Sequence, residues 1–517
     1  MKRLLPLGAL GLLAAGCNNP ISAADLEGPT EPGTEPAGRL AFRSGTFGTE
    51  GYWSDTVGLG RGVAAAGLTL RSALDLGLQV DAELLPEDGS ERGELFSLSL
   101  DDTDYFDRSL AAGAIVGLVP LDVDEDGALD LTLGPDQLGI SCALCHSRVD
   151  GSLFSDEATG GAVGARMDGI PASRIDLGDL FALGTDSRAL YPYLPHTHET
   201  VGGFPISRSG AFVRATSSEA EVDALLRDDA SLPPGSWDAI PDGIGAPTEL
   251  PALYDIRRAA PFGVAGEIDS PLDAVNAHVT LGLDPTTLLT VPGSVFIDRV
   301  GVGIGVEIRG EFQDVLDAVG AVTPIGGFPY VDGSFLPFGG TAAAPVGLRL
   351  PATPLEDVTG YLSTLSPTPA PPGDAILRLQ GELEYGASCA SCHGDLDSMA
   401  PLPPTSVAEL FAQYLPTTLL ARGFPYSNAL DDRNRTFDDR VVLFDLLYTD
   451  IQVPQFGRTL ATPRLFGLHL RERFLHDGSI SNLEDLFDPA RGAGAVHPFY
   501  AQDTVRRAGL VELLTTR

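Results

Sequence analysis

The sequence predicts a mainly α chain built as two similar domains, with long Gly- and Pro-rich loops between the helices. Three observations predict it. Helically spaced apolar residues stand on both sides of a Pro-rich break from Ser363 to Asp374, STLSPTPAPPGD. One six-residue motif occurs once on each side of that break, as SCALCH and SCASCH. Gly 61 and Pro 40 together make up about a fifth of the 517 residues, which calls for many ordered loops around the helices.

The chain opens with Met1-Lys2-Arg3 and an apolar run from Leu4 to Ala15, too short to span a bilayer as a mature helix. Leu13-Ala14-Ala15-Gly16-Cys17 resembles a bacterial lipoprotein signal. That resemblance implies removal of residues 1–16 and a lipid on Cys17. Leu13 stands one position further from Cys17 than that pattern commonly has, and an ordinary secretory cut near Ser22-Ala23 is the alternative. Either cut makes the chain an exported one, periplasmic or at the cell surface, with the membrane reached only through an N-terminal lipid. Residues 17–38, rich in Pro, Gly, Asn and Glu, read as a flexible tether. Ordered structure is expected from Arg39.

Residues 39–365 are expected to form a first domain with insertions, and 366–517 a smaller second one. Leu355, Val358, Leu362 and Leu365 predict a helix before the break, and Ile376, Leu377, Leu379 and Leu383 predict one after it. The four internal cysteines fall in Cys142-Ala143-Leu144-Cys145-His146 and Cys389-Ala390-Ser391-Cys392-His393. Cys-x-x-Cys-His is the attachment signature for c-type haem: two thioethers hold the porphyrin edge and the next residue reaches the iron. Two such motifs in an exported chain, using every internal cysteine, predict two covalent haems in cytochrome c-like domains rather than a thiol pair or a zinc site. His146 and His393 are the expected proximal ligands.

An echo supports two homologous domains. Pro251-Ala252-Leu253-Tyr254, Phe262-Gly263-Val264-Ala265-Gly266 and Ser270-Pro271-Leu272-Asp273 repeat as Pro463-Arg464-Leu465-Phe466, Phe474-Leu475-His476-Asp477-Gly478 and Asn482-Leu483-Glu484-Asp485, with one residue inserted. Each set follows its Cys-x-x-Cys-His at roughly a hundred residues. The run TPRLFGLHLRERFLHDGSISNLEDLF resembles the C-terminal signature of dihaem cytochrome c peroxidases. It also resembles those enzymes' relatives, the methylamine-utilisation protein that matures tryptophan tryptophylquinone and the dihaem rubber oxygenases. FRSGTFGTEGYWSDT, from Phe42 to Thr56, is similar to members of the same superfamily.

The resemblance implies one six-coordinate relay haem and one reactive haem. The stretch where peroxidases carry a distal Met reads Asp488-Pro489-Ala490-Arg491, with neither Met nor Tyr. For the second haem this leaves His497, placed as in rubber oxygenases, with His476 the alternative; Met399 is too close to His393 to reach the other face. In the first domain Val264 falls where His476 stands. Met167, His196, His198 and His278 remain as candidates, and a distal site open to peroxide or dioxygen is expected. Trp237 is either a core aromatic or a bridge between haems.

Asp122-Val123-Asp124-Glu125-Asp126-Gly127 matches the first half of a calcium loop, with Asp130 following, but Leu133 stands where the bidentate Glu would be. Asp122, Asp124, Asp126 and Asp130 thus form either a calcium site or a solvated acidic turn. A net charge of -38 argues against nucleic acid as a partner. It suits a solvated surface or attraction of a basic redox partner. The expected function is an exported dihaem oxidoreductase whose partner is a small redox protein or a small-molecule or polymer substrate. The alternative is a pure electron-transfer lipoprotein with both haems six-coordinate.

Overall fold

A computed structural model describes residues 35–86, 100–132, 134–196, 200–201, 204–205, 211–241, 243, 247–254, 256, 262, 268, 270–300, 305–336, 344–396, 405–406, 459–460, 462–475, 478, 480–491 and 501–517. Cys17, His198, Val264, Met399, His476 and His497 lie outside them. The helical share is 45% and the strand share 10%, so the expected mainly α class is corrected to a mixed one. The strands are pieces of two to four residues, most of them in antiparallel pairs. Such short pieces carry too few side chains to show an alternating pattern in sequence.

Each half is closed by a pair of crossing helices. In the N-terminal half, helix Glu35–Ser44 lies against Ala352–Leu362. It starts four residues before Arg39 and so takes the end of the expected tether; Pro36, in the first turn, has its φ already set for a helix. In the C-terminal half, Ala375–Ser388 lies against Thr504–Thr515. Asp374 starts the former by accepting the amides of Ile376 and Leu377 at 2.8 and 3.0 Å.

Both crossings depend on glycine. A Cβ on Gly38 would sit 2.2 Å from the Asp357 carbonyl oxygen, and one on Gly381 would sit 2.1 Å from that of Gly509. The crossing, rather than the apolar stripe, decides which face is covered. Gly381, Glu384 and Tyr385 are buried, whereas Ile376, Leu379 and Leu383 are 71%, 58% and 70% exposed.

The core of the N-terminal half is aromatic-rich. Trp53, Phe181 and Trp237 follow one another with ring centres 4.8 and 4.9 Å apart, and Tyr193 lies 5.4 Å from Trp237. Trp237 is therefore packed as a core ring. In the C-terminal half a smaller core gathers Tyr385, Leu468, Phe474, Leu483, Leu510 and Leu513. Among the described residues no helix is long and apolar enough to cross a membrane.

The echo seen in sequence is an echo in structure. Phe262 and Ile268 form an isolated antiparallel bridge, and so do Phe474 and Ile480. Ser270 and Asn482 each precede the first residue of a helix, Pro271–Ala277 and Leu483–Leu486. Counting from Pro251 to Ser270 and from Pro463 to Asn482 gives 19 residues in both halves, which removes the inserted residue of the sequence comparison.

Candidate haem-binding sites

The SCALCH turn is held from four sides. A hairpin, Leu118–Leu121 with Gln137–Ile140, delivers the chain to Ser141. Ser141 donates its hydroxyl to the Arg43 carbonyl at 2.7 Å. Beyond the turn, Ser147–Val149 pairs antiparallel with Arg166–Asp168. The carbonyls of His146 and Cys145 accept the amides of Gly169 and Ala172 at 2.8 and 2.9 Å.

Asp168 ties this turn to the helix crossing, and nothing in the sequence marks it out. One carboxylate oxygen accepts from Arg43 at 2.7 Å and from the Tyr361 hydroxyl at 2.5 Å, and the other from Ser147 at 2.7 Å. Arg43 belongs to the first crossing helix and Tyr361 to the second. A carboxylate this buried is stable only with such partners.

The two histidines are presented alike. His146 Nδ1 lies 2.9 Å from the Pro251 carbonyl oxygen, and His393 Nδ1 lies 2.9 Å from that of Pro463. A carbonyl oxygen can only accept, so Nδ1 carries the proton in both rings and Nε2 is left with its lone pair. Burial holds the His146 imidazole down at about 4, against the pull of the Pro251 bond and with the His278 ring adding to the effect. Burial likewise lowers His393. Both are neutral imidazoles near pH 7, each oriented from behind by a carbonyl as metal-ligating histidines are. Pro251 and Pro463 are the first residues of the echoed segments. They stand 105 and 70 residues after their histidines, which corrects the roughly equal spacing expected.

The four cysteines are free thiols. Burial pushes Cys142 up to about 11, and Cys145 and Cys389 to about 12. A dithiol redox pair needs the opposite shift, toward thiolate. Free thiols three residues apart, with a Nδ1-protonated imidazole next in sequence, fit the donor set of a c-type haem on each turn.

The described distal candidates separate clearly. Met167 lies in Arg166–Asp168, the strand paired to the one that leaves the turn, with its backbone opposite Arg148. His196 is buried in the core, stacked on Tyr191 with ring centres 3.8 Å apart, and neither ring nitrogen has a hydrogen-bond partner. His278 is different. It stands exposed amid a buried stretch, its Nδ1 is 2.9 Å from the Ala274 carbonyl, and it is the smallest of the influences on the His146 ring. Its neighbours Val275 and Val279 share a core cluster with Ala143 and Cys142.

In the acidic loop Asp122, Asp124 and Asp136 bring one carboxylate oxygen each within 4.8 Å of the others. Asp126 and Asp130, expected in that set, turn instead to the amides of Ala128 and Thr132 at 2.8 and 3.0 Å. Asp136 accepts the amides of Val123 and Asp130 at 2.8 and 2.7 Å, and Asp122 accepts that of Gly127 at 2.8 Å. These carboxylates organise the loop's own backbone.

No family model matches the chain, and no curated protein matches it. Among solved structures, hydrazine synthase of Kuenenia stuttgartiensis is similar over 53% of this chain and 73% of its own, at 13% identity and a TM-score of 0.22. That likeness is too slight to bear on fold or function.

Proposed function

We propose that the protein is an exported dihaem c-type cytochrome acting as an oxidoreductase. Cys142, Cys145 and His146 would hold the haem at which peroxide or dioxygen reacts, and Cys389, Cys392 and His393 the haem that relays electrons. The observation that carries the reading is the matched pair of Nδ1–carbonyl bonds at Pro251 and Pro463. They put the same lone pair on the same atom of both Cys-x-x-Cys-His histidines. A redox dithiol has no use for that arrangement, and an iron ligand requires it.

Each haem, once attached, supplies an iron that exchanges single electrons. The protein's part is to aim and polarise the ligands. Donation of Nδ1–H to a carbonyl raises the basicity of Nε2, and the buried surroundings keep the imidazole neutral. Arg43, Asp168 and Tyr361 brace the first turn through Ser147, the residue after His146. The calcium expectation is not part of this reading. The lipid on Cys17, the export and a small redox protein or small-molecule or polymer partner remain with it as proposals from sequence.

One observation favours a second reading, electron transfer alone. His278 shares the surroundings of His146, and a second imidazole on that iron would fill it. Spectra of the matured protein decide between the two. A high-spin ferric signal, with carbon monoxide binding to one of the two reduced haems, supports the enzyme. Two low-spin haems inert to carbon monoxide support the carrier.

A further inference from the structure

The segments that hold the two histidines from behind are bonded to each other. Tyr254, three residues after Pro251, donates its hydroxyl to the Gly467 carbonyl at 3.1 Å, in a buried contact. Gly467 is four residues after Pro463. The Tyr254 and Phe466 rings meet edge to face with centres 5.5 Å apart. Gly467 has φ +65°, and a Cβ there would lie 2.6 Å from the Tyr254 hydroxyl oxygen. Only glycine permits both the backbone conformation and the approach.

Ion pairs close the seam on either side. Arg471 meets Glu249 at 2.7 Å, and Glu472 takes Arg148 at 2.7 Å and Arg174 at 2.5 Å. Arg148 is two residues past His146, and Glu249 is two residues before Pro251. The clamp therefore acts on the same short segments that hold the rings. Burial keeps the Tyr254 phenol up at about 12, so it remains a donor across the physiological range.

We infer that the strap from His146 through Pro251, Tyr254, Gly467 and Pro463 to His393 is the route by which the two halves exchange electrons. It consists of covalent backbone and three hydrogen bonds, of 2.9, 3.1 and 2.9 Å. It runs on the Nδ1 side of each histidine, the side away from Nε2. The inference rests on the dihaem reading. The step moves one electron from the reduced iron of one half to the oxidised iron of the other. No bond forms or breaks, and the three protons stay on Nδ1 of His146, the Tyr254 oxygen and Nδ1 of His393. The electron enters from a one-electron carrier outside the chain.

The test injects a single electron by pulse radiolysis into the matured, fully oxidised protein. It follows the concentration-independent redistribution between the two haem signals. Tyr254→Phe keeps the ring and deletes the bond, and it should slow that phase several-fold with both haems retained. Gly467→Ala forces the hydroxyl away and should slow it at least as much. Arg71→Gln cuts the exposed Arg71–Asp101 ion pair, which includes no residue of the strap or its clamp, and should leave the rate unchanged. Equal rates in wild type and Tyr254→Phe would overturn the inference. So would a Tyr254→Phe protein that loses a haem, because the strap would then be scaffold rather than route. A wild-type chain with no attached haem would instead sink the dihaem reading itself.

Discussion

Alanine should have opposite effects at two glycines of one helix, Gly381 and Gly386 in Ala375–Ser388. At Gly386 a Cβ would meet nothing within 4 Å. Gly386→Ala should therefore show the helix-propensity gain of a solvent-facing site, about 0.5–1 kcal/mol more stable. The same gain is available at Gly381, but there the new Cβ would stand 2.1 Å from the Gly509 oxygen and 2.7 Å from the Leu513 Cβ. An ordinary contact needs about 3.5 Å, so Thr504–Thr515 must retreat by more than about 1 Å. Leu510 and Leu513, fully buried at that crossing, would loosen with it. Overpacking of this kind costs about 1–3 kcal/mol and outweighs the propensity gain. Urea unfolding of the matured protein, followed by far-UV circular dichroism and by haem absorbance, reads both variants. Stabilisation by Gly381→Ala equal to that by Gly386→Ala would refute the account of the crossing.

Asp168→Asn should destabilise the N-terminal half by about 3–5 kcal/mol, because Arg43 then keeps its charge in a half-buried site without a counterion; thermal unfolding against wild type measures it. His196 has a folded value near 3, set by burial, against an ordinary 6.5. Between those values the unfolded chain binds the proton and the folded chain does not, so stability falls as pH drops from 6.5 toward 3, by at most about 4–5 kcal/mol. His196→Phe, stacked on Tyr191 in the same space, should flatten that acid limb in denaturant titrations at successive pH values. His278→Ala should leave two attached haems, with the spectrum and the exogenous imidazole affinity of the first unchanged, as a site open to peroxide or dioxygen requires; a rise in that affinity would show that His278 fills that iron and would favour the carrier.

What could be read from sequence was chemistry written in consecutive side chains. Cys-x-x-Cys-His is legible as a motif because its five residues are consecutive, and the structure adds that each of its histidines meets a proline carbonyl. The bracketing helices were legible from Leu355 to Leu365 and from Ile376 to Leu383, since each spans several turns of apolar spacing. The face they bury was not, because a glycine crossing leaves no apolar signature at Gly381 and Gly509. The echo at Pro251 and Pro463 was visible as a pattern, yet its purpose lay in a backbone carbonyl, which every residue has. Asp168 gathers partners 125 and 193 residues away, and no local rule points to it. Asp136 displaced Asp126 and Asp130 from the acidic cluster for a similar reason, since the loop returns on itself. Strands of two to four residues are too short to be called by alternation, which is why the expected class leaned too far toward α.

The central claim is that both turns carry haem through their own cysteines. The full-length chain, produced together with a c-type cytochrome maturation system, should be denatured, weighed by intact mass and read as its pyridine haemochrome. Two haems per chain should stay attached under denaturing conditions. One should remain in the Cys142→Ala/Cys145→Ala variant and one in the Cys389→Ala/Cys392→Ala variant. A wild-type mass without haem, or with a Cys142–Cys145 disulfide in its place, would contradict it.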